Sequence, residues 1–201
     1  MTFMSETSTS QDHVSYYIDH TIYTGRPADT TSRLPKEIRT YDLLDSLGIA
    51  YARADHDTLP TMEACQEVGN LLGIEICKNL FFRNTQKTAF YLLILPGSKK
   101  FKTAALSKQI GSARLSFAEP EFMEQYLNIT PGSVSVLGLM NDPENKVRLL
   151  IDKDILKNHP YFGCHPCINT SSLKFRTEDL LNKILPAIHH DYTMVDLPYA
   201  E

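Results

Sequence analysis

Alternating apolar and polar positions divide the chain into short helices and strands. Apolar residues recur at three-residue steps from Ile38 to Leu47, which makes one apolar stripe and predicts a helix. Pro35 suits the first turn of this helix and Gly48 suits its end. The following segment, IAYARADH, predicts a short strand, and a second helix is predicted over MEACQEVGNLLG with Thr61 as its N-cap.

Later segments rich in β-branched and aromatic residues predict a sheet. A hairpin is predicted over IEICKNLFFRN and TAFYLLILPG, because the polar residues RNTQKT join them. Further strands are predicted over SVSVLGLM and NKVRLLID, which the turn residues NDPE separate, and over SSLKF and the edge segment DYTMVDLP. Helices are predicted over FKTAALSKQIG, EPEFMEQYLNI and TEDLLNKILPAI, the last capped by Thr177. FGCHPCINT contains proline and predicts a loop.

This arrangement predicts an α/β fold of the α+β type, with a mixed central sheet and surrounding helices. Some strands are joined by tight turns and others are separated by helices, which excludes a purely parallel sheet. Residues 1–34 are rich in Ser, Thr, Asp, Gly and Pro, and they predict an N-terminal arm that is extended or partly disordered. Residues 35–201 are expected to form a single domain, since a chain of 201 residues suits one core.

Charge and composition argue against several classes of protein. The net charge of −4 argues against a protein that relies on non-specific phosphate contacts, although a local basic groove remains compatible with it. The sequence has no run of 18 apolar residues and no secretory signal, so we expect a cytoplasmic protein with reduced cysteines. G-x-G-x-x-G and G-x-x-x-x-G-K-[ST] patterns are absent, which predicts that no nucleotide cofactor is bound.

The sequence C-H-P-C at residues 164–167 invites a zinc or redox hypothesis. Zinc needs further ligands, and Cys65, Cys77 and His159 do not have zinc-site spacing. A redox pair normally begins a helix, whereas a strand follows here. Two small thiols beside a loop are therefore the favoured interpretation, and no metal is expected.

Three single residues could carry chemistry, and each also has an ordinary structural explanation. Lys78 lies among apolar strand residues, either facing outward or as a fixed cation at the mouth of a cleft. His165 lies on a rigid turn, as a surface histidine or as a proton carrier. Gly132 lies in TPGSVSVLG, either as part of an ordinary turn that enters a strand or in a loop whose backbone amides could bind a carbonyl oxygen. Hydrolase patterns such as G-x-S-x-G and H-E-x-x-H are absent.

Several segments occur together, in order, as they do in one protein family. ICKNLFFRN, FYLLILPGSKKFKTAALSKQIGSARLSFA, ITPGSVSVLGLMND, VRLLIDKDIL and YFGCHPCINTSSLKF resemble the YbaK/ProX family of aminoacyl-tRNA deacylases. These proteins are related to the editing domain of bacterial prolyl-tRNA synthetase. The resemblance covers residues 41–188 and is greatest to the ProX group, which removes Ala from tRNA for proline. It implies a partly barrel-like sheet, a mischarged tRNA as partner, and no cofactor; it leaves open whether prolyl-tRNA synthetase takes part.

The resemblance also implies roles for particular residues. Lys78, Gly132 and His165 match the family's hallmark lysine, the loop that grips the aminoacyl group, and the histidine of its G-x-H-P sequence. Val136 stands where the family commonly has proline. The substrate-binding positions implied by the match are Asn79, Ser133, Val134, Ser135, Val136, Gly163, Pro166, Asn169 and Thr170. The basic residues expected to contact tRNA on the same face as Lys78 are Lys99, Lys100, Lys102 and Arg114; a solvated face would explain them equally well.

The missing catalytic triad agrees with this resemblance, because an aminoacyl ester is already activated and needs positioning more than a strong nucleophile. The family is thought to use the free hydroxyl of the terminal ribose to activate or orient water. The main hypothesis is therefore a free-standing trans-editing deacylase for Ala-tRNA(Pro). The alternatives are a deacylase for tRNA charged with Cys or Ser, a non-catalytic amino-acid or tRNA sensor, and a thiol redox protein.

Overall fold

The larger of the two sheets in the computed structural model, which describes residues 15–199, has five strands in the order β5-β3-β4-β6-β9. The β3–β4 pair is the predicted antiparallel hairpin, β5 adds antiparallel to β3, and β6 and β9 continue the sheet with parallel pairing. All residues of β4 are buried, as its uninterrupted apolar sequence predicts. The strands are β3 (Cys77–Asn84), β4 (Phe90–Pro96), β5 (Leu115–Phe117), β6 (Val147–Asp152) and β9 (Tyr192–Val195).

The smaller sheet has four antiparallel strands in the order β1-β2-β8-β7. Its strands are β1 (Tyr23–Thr24), β2 (Ala52–Asp55), β7 (Tyr161–Cys164) and β8 (Ser171–Arg176). The largest hydrophobic cluster contains buried side chains from both sheets, so one core joins them. The predicted mixed α/β fold is confirmed, but within residues 15–199 the strands form two separate sheets without a closed barrel.

Within residues 15–199, seven α-helical segments surround the sheets. They are α1 (Pro35–Ser46), α2 (Met62–Leu72), α3 (Thr103–Ile110), α4 (Pro120–Leu127), α5 (Lys153–Asn158), α6 (Thr177–Asp179) and α7 (Leu185–Ala187). A π-helical turn, Leu180–Ile184, connects the last two. Thr61 caps α2 as predicted, since its side chain accepts a hydrogen bond from the Ala64 amide at 3.2 Å. Among the helices of residues 15–199, none is long and apolar enough to cross a membrane.

Three local predictions differ from the structure. SVSVLGLM is not a strand: Val136–Asn141 form a 3₁₀ helix, started by the Ser135 hydroxyl, which accepts from the Leu137 amide at 3.2 Å. A short apolar run that is buried throughout does not distinguish strand from helix. Thr177 does not cap the last helix, because its hydroxyl donates to the His159 carbonyl and Arg176 occupies the N-cap position. The predicted loop FGCHPCINT begins as strand β7.

The described part of the predicted arm, residues 15–34, lies against the smaller sheet. Ile18 forms a β-bridge with His56, and Tyr23 and Thr24 pair with β2. Arg33 donates to the Asp55 carboxylate at 2.8 Å and so ties the end of the arm to the last residue of β2. Residues 1–14 lie outside the described range, so the predicted extent of the arm stays a prediction.

Candidate active site

A cavity of about 180 Å³ lies where β3 of the larger sheet approaches β7 and β8 of the smaller sheet. Six residues that the family resemblance assigned to the site line this cavity, although they come from segments far apart in sequence. They are Lys78, Asn79, Gly132, Val134, Gly163 and His165. Most of the remaining wall is apolar and is contributed by Met62, Cys65, Ile76, Leu80 and the neighbouring Cys77 and Cys164.

The other six predicted substrate-binding residues do not line the cavity: Ser133, Ser135, Val136, Pro166, Asn169 and Thr170. Several of them shape its wall instead. Val136 is fully buried in the core at the start of the 3₁₀ helix. The Asn169 side-chain amide donates to the Leu59 carbonyl at 3.1 Å and its oxygen accepts from the Leu59 amide at 3.4 Å. Asn169 thereby fixes the segment that leads into α2, which contributes two cavity residues.

Lys78 is held at the cavity by its own ammonium group. It lies on β3 opposite Leu95, and its Nζ donates to the Lys99 carbonyl oxygen at 2.9 Å. This neutral acceptor uses one of the three ammonium protons and leaves the positive charge uncompensated. Lys78 is therefore a positioned cation at the cavity wall.

Lys99 does not belong to an exposed basic surface, so its predicted contact with tRNA is wrong. Its side chain is 1% exposed, and its Nζ lies 2.9 Å from Asp152 Oδ1 and 2.9 Å from Asp154 Oδ2. Burial alone would lower the pKa of Lys99, but the bonds to Asp154 and Asp152 outweigh it, so that the pKa is raised. An ammonium neutralised by two carboxylates is not available to a phosphate group.

The other predicted tRNA contacts, Lys100, Lys102 and Arg114, are exposed. The Lys99 carbonyl accepts from Lys78, which lines the cavity. Lys100 and Lys102 come one and three positions after Lys99 in the sequence. Arg114 precedes Leu115, which pairs with Asn84 at the far end of β3. The six steps of β3 from Lys78 to Asn84 span about 20 Å. The structure thus separates Arg114 from the two lysines.

Two glycines occupy positions that disfavour a side chain, Gly132 because of its backbone angle and Gly163 because of a close neighbour. Gly132 has φ of +86°, which other residues rarely adopt, and a Cβ atom there would lie 3.5 Å from Asn169 Nδ2. A Cβ atom on Gly163 would lie 2.3 Å from Ile74 Cδ1, closer than any carbon contact allows. Both residues therefore present only backbone atoms to the cavity, where amide groups can stabilise a developing oxyanion.

His165 has a defined protonation pattern. Its Nδ1 lies 2.9 Å from the Ser171 carbonyl oxygen, which can only accept, so Nδ1 carries the proton and Nε2 carries a lone pair. Burial lowers the pKa of His165 to about 4, partly offset by the bond to Ser171. The ring stays neutral near pH 7 and can accept a proton or a hydrogen bond through Nε2.

This low pKa predicts that acid weakens the fold. The unfolded chain binds a proton at His165 near the ordinary value of 6.5, whereas the folded protein does so only near pH 4. Stability is therefore lost as the pH falls from about 6.5 to about 4, at no more than about 1.4 kcal/mol per pH unit for this group. Urea unfolding at fixed pH values measures the effect. A His165→Gln variant should show a shallower decline over this interval, and equal slopes would contradict the assignment.

Two residues of the site were not singled out from the sequence: His56, at the end of β2, and Ser172, on β8. His56 Nε2 lies 2.9 Å from Ser172 Oγ, which in turn lies 3.5 Å from His165 Nδ1. Ser172 also lines the cavity. The two residues are 116 positions apart and meet because Ala54 of β2 pairs with Ser172. The sequence signal is weak: His56 closes the predicted strand segment IAYARADH, and Ser172 lies near the start of SSLKF.

The four cysteines are free, and three of them are buried. Burial raises the pKa of Cys77 to about 12 and of Cys167 to about 11, and it also raises the pKa of Cys164. Within residues 15–199 no group of three or more His, Cys, Asp and Glu residues could hold a metal ion. These thiols therefore have the properties of packing residues and not of redox-active thiolates.

We expect thiol reagents to modify the native protein slowly. At pH 8 a thiol with a pKa of 11 or 12 has almost no thiolate, and burial also blocks access to the reagent. Absorbance assays with a disulfide reagent should report slow release at Cys77, Cys164 and Cys167, with all four thiols reacting at once in guanidinium. Rapid reaction of both Cys164 and Cys167 in the native protein would support the redox hypothesis.

Comparison with known proteins gives a consistent result. A family model described as aminoacyl-tRNA editing domain matches residues 56–183. The prolyl-tRNA editing protein ProX of Acetoanaerobium sticklandii is 31% identical over 154 residues, which are 77% of this chain and 93% of that protein. The prolyl-tRNA synthetase associated domain-containing protein 1 of Bos taurus is 27% identical over 142 residues, covering 69% of this chain and 82% of that protein.

The fold also matches solved structures. A crystal structure described as that of a candidate trans-editing enzyme for prolyl tRNA synthetase superimposes with a TM-score of 0.59 and covers 83% of this chain and 99% of that one. Its sequence identity of 18% is low, so this likeness concerns the arrangement of helices and strands.

Proposed function

Because this chain belongs to the aminoacyl-tRNA editing domain family, whose members are hydrolases of misacylated tRNA, we propose that it removes Ala from tRNA(Pro) as a free-standing trans-editing deacylase. One observation carries the proposal: Lys78, Gly132 and His165 converge on one small cavity. A cation, backbone amides and an unprotonated imidazole are the groups that hydrolysis of an activated ester requires.

In the proposed reaction, water attacks the ester carbonyl carbon in this cavity. Lys78 attracts the phosphate and ribose oxygens of the terminal nucleotide, and the backbone at Gly132 holds the carbonyl oxygen as its negative charge develops. His165 Nε2 accepts a hydrogen bond from the water or from the neighbouring ribose hydroxyl. The bond between the carbonyl carbon and the ribose oxygen breaks, that oxygen takes up the proton released by the attacking water, and free amino acid and tRNA leave.

The cavity suits a single amino acid better than a larger ligand. Its volume of about 180 Å³ is below the range of roughly 300–1,000 Å³ that holds drug-sized ligands. Met62, Ile76 and Val134 supply apolar walls that suit a methyl group. Such a wall can exclude the larger proline ring sterically, which protects correctly charged tRNA, whereas rejecting a smaller residue would yield only about 1–3 kcal/mol per methylene.

Lys100 and Lys102 are the proposed contacts for the tRNA backbone near the ester. Both are exposed and lie close in the chain to the carbonyl that holds Lys78. Arg114, at the other end of β3, would contact a more distant part of the tRNA. In agreement with the net charge of −4, this proposal uses a local basic segment and not the total charge.

Deacylation assays with a panel of charged tRNAs test the proposal. Release of labelled amino acid is measured from Ala-tRNA(Pro), Pro-tRNA(Pro), Cys-tRNA(Pro) and Ser-tRNA(Pro), each with and without prolyl-tRNA synthetase. We expect Ala-tRNA(Pro) to be hydrolysed fastest and Pro-tRNA(Pro) to stay intact. Preferential hydrolysis of the Cys or Ser ester would change the assigned substrate. Binding of tRNA without hydrolysis of any ester would favour the sensor hypothesis.

A further inference from the structure

We infer that His56 is a positioning residue for the proposed deacylation, because it keeps the Ser172 hydroxyl proton away from His165 and so leaves His165 Nε2 unprotonated. The inference rests on the proposed function only in so far as His165 takes part in hydrolysis. It concerns three side chains joined by hydrogen bonds: His56, Ser172 and His165.

A backbone carbonyl determines which nitrogen of His56 carries the proton. His56 Nδ1 lies 2.8 Å from the Asp57 carbonyl oxygen, which accepts only, so Nδ1 carries the imidazole proton. The neutral ring then has a lone pair on Nε2. His56 is 6% exposed, and burial lowers its pKa, so the neutral form prevails at neutral pH.

The protonation of His56 determines the direction of the Ser172 hydroxyl, and thereby what Ser172 presents to His165. Its Oγ lies 2.9 Å from His56 Nε2, and since that nitrogen has no proton, the Ser172 hydroxyl donates to it. Ser172 then has only lone pairs left to face His165 Nδ1, 3.5 Å away. Nδ1 is thereby surrounded by two acceptors, the Ser171 carbonyl and the Ser172 oxygen, and it keeps its proton.

Loss of His56 would free the Ser172 proton. A serine hydroxyl rotates easily, and it could then donate to His165 Nδ1 in competition with the bond from Nδ1 to the Ser171 carbonyl. Donation to Nδ1 favours the other tautomer, in which Nε2 carries the proton and can no longer accept one. A tautomer that is held by a neighbouring group is a known requirement for histidine bases, and the wrong tautomer removes much of their effect.

A double-mutant cycle tests this inference. We expect His56→Leu to lower kcat for Ala-tRNA(Pro) by about tenfold or more, with KM changed less, because a general base contributes about 10²–10⁴-fold. In a Ser172→Ala background, His56→Leu should change kcat by less than about twofold, since no hydroxyl proton is left to be redirected. An equally large effect of His56→Leu in both backgrounds would overturn the inference.

Histidine ¹⁵N NMR reports the tautomer without any substrate. The chain has seven histidines, and comparison with a His165→Gln spectrum assigns the His165 signals. Wild type and Ser172→Ala should show an unprotonated Nε2 at His165, and His56→Leu should show a protonated one. His56→Gln, whose amide oxygen can accept from Ser172, should retain the wild-type tautomer and controls for folding. An unchanged tautomer in folded His56→Leu would overturn the inference even if activity fell.

The NMR result also separates this inference from the proposed function. The expected tautomers together with an absence of hydrolysis by the wild type would support the proton order and contradict the proposed function. Hydrolysis by the wild type, with the His165 tautomer unchanged in His56→Leu, would support the proposed function and contradict the proton order.

Discussion

Lys78→Ala should lower kcat/KM for deacylation of misacylated tRNA by about 10²-fold, the loss that follows when a bound substrate is no longer held in the reactive position. The Lys78 ammonium is fixed at the cavity by its bond to the Lys99 carbonyl and has no carboxylate on it, so its charge is available to the substrate. Alanine removes both the charge and the anchor. Single-turnover hydrolysis of labelled Ala-tRNA(Pro) measures the effect.

Two variants control this experiment. Lys146 is an exposed lysine paired with Glu144 at 3.5 Å, and Lys146→Ala should leave deacylation unchanged. Lys78→Arg keeps the charge but places it on a wider, planar group, so we expect only partial recovery. The fold of Lys78→Ala should persist, because the lost hydrogen bond contributes only about 1 kcal/mol. A folded Lys78→Ala variant with wild-type activity would contradict the proposed role.

Lys99→Ala should lower the free energy of unfolding by about 3–5 kcal/mol, the usual result of removing one partner of a buried ion pair. The Lys99 ammonium contacts both oxygens of Asp152, at 2.9 and 3.0 Å, and Asp152 is fully buried. Without the lysine, the Asp152 carboxylate would remain buried without its counter-charge. Urea unfolding followed by circular dichroism measures the change.

Lys100→Ala is the matched control, since the neighbouring lysine is exposed. Its effect on stability should stay within about 0.5 kcal/mol, as for other surface substitutions. Filter binding of tRNA should show the opposite ranking, with Lys100→Ala weakening the complex and a folded Lys99→Met variant binding normally. Weakened tRNA binding by Lys99→Met at unchanged stability would contradict the assignment of Lys99 to the core.

Much of the secondary structure could be predicted because its signals are local. Thr61 identifies the start of α2, and the polar turn between two β-rich segments identifies the β3–β4 hairpin. SVSVLGLM could not be assigned correctly, because most of its residues are buried and the segment therefore lacks the periodicity that distinguishes a strand from a helix. Local sequence signals could not predict the division into two sheets either. It depends on which strands pair, and the paired strands are far apart in the sequence.

The candidate site also contains residues that could be predicted from the sequence and residues that could not. Lys78, Gly132 and His165 were predicted from their family context, and the structure brings all three to one cavity, although their roles in catalysis stay predictions. Lys99 was assigned to a basic surface because it lies in a run of lysines, and its two carboxylate partners, 53 and 55 residues away, could not be seen from that run.

The sequence by itself determined the elements, the family and therefore the class of reaction, because capping residues, turn residues and short motifs act over a few neighbouring positions. Tertiary structure alone decided which polar groups meet. Asp57 directs His56, strand pairing across 116 positions brings His56 to Ser172, and Ser172 faces His165 seven positions away. The protonation state of a buried group depends on the donors, acceptors and charges within a few ångströms, and these neighbours exist only once the chain has folded.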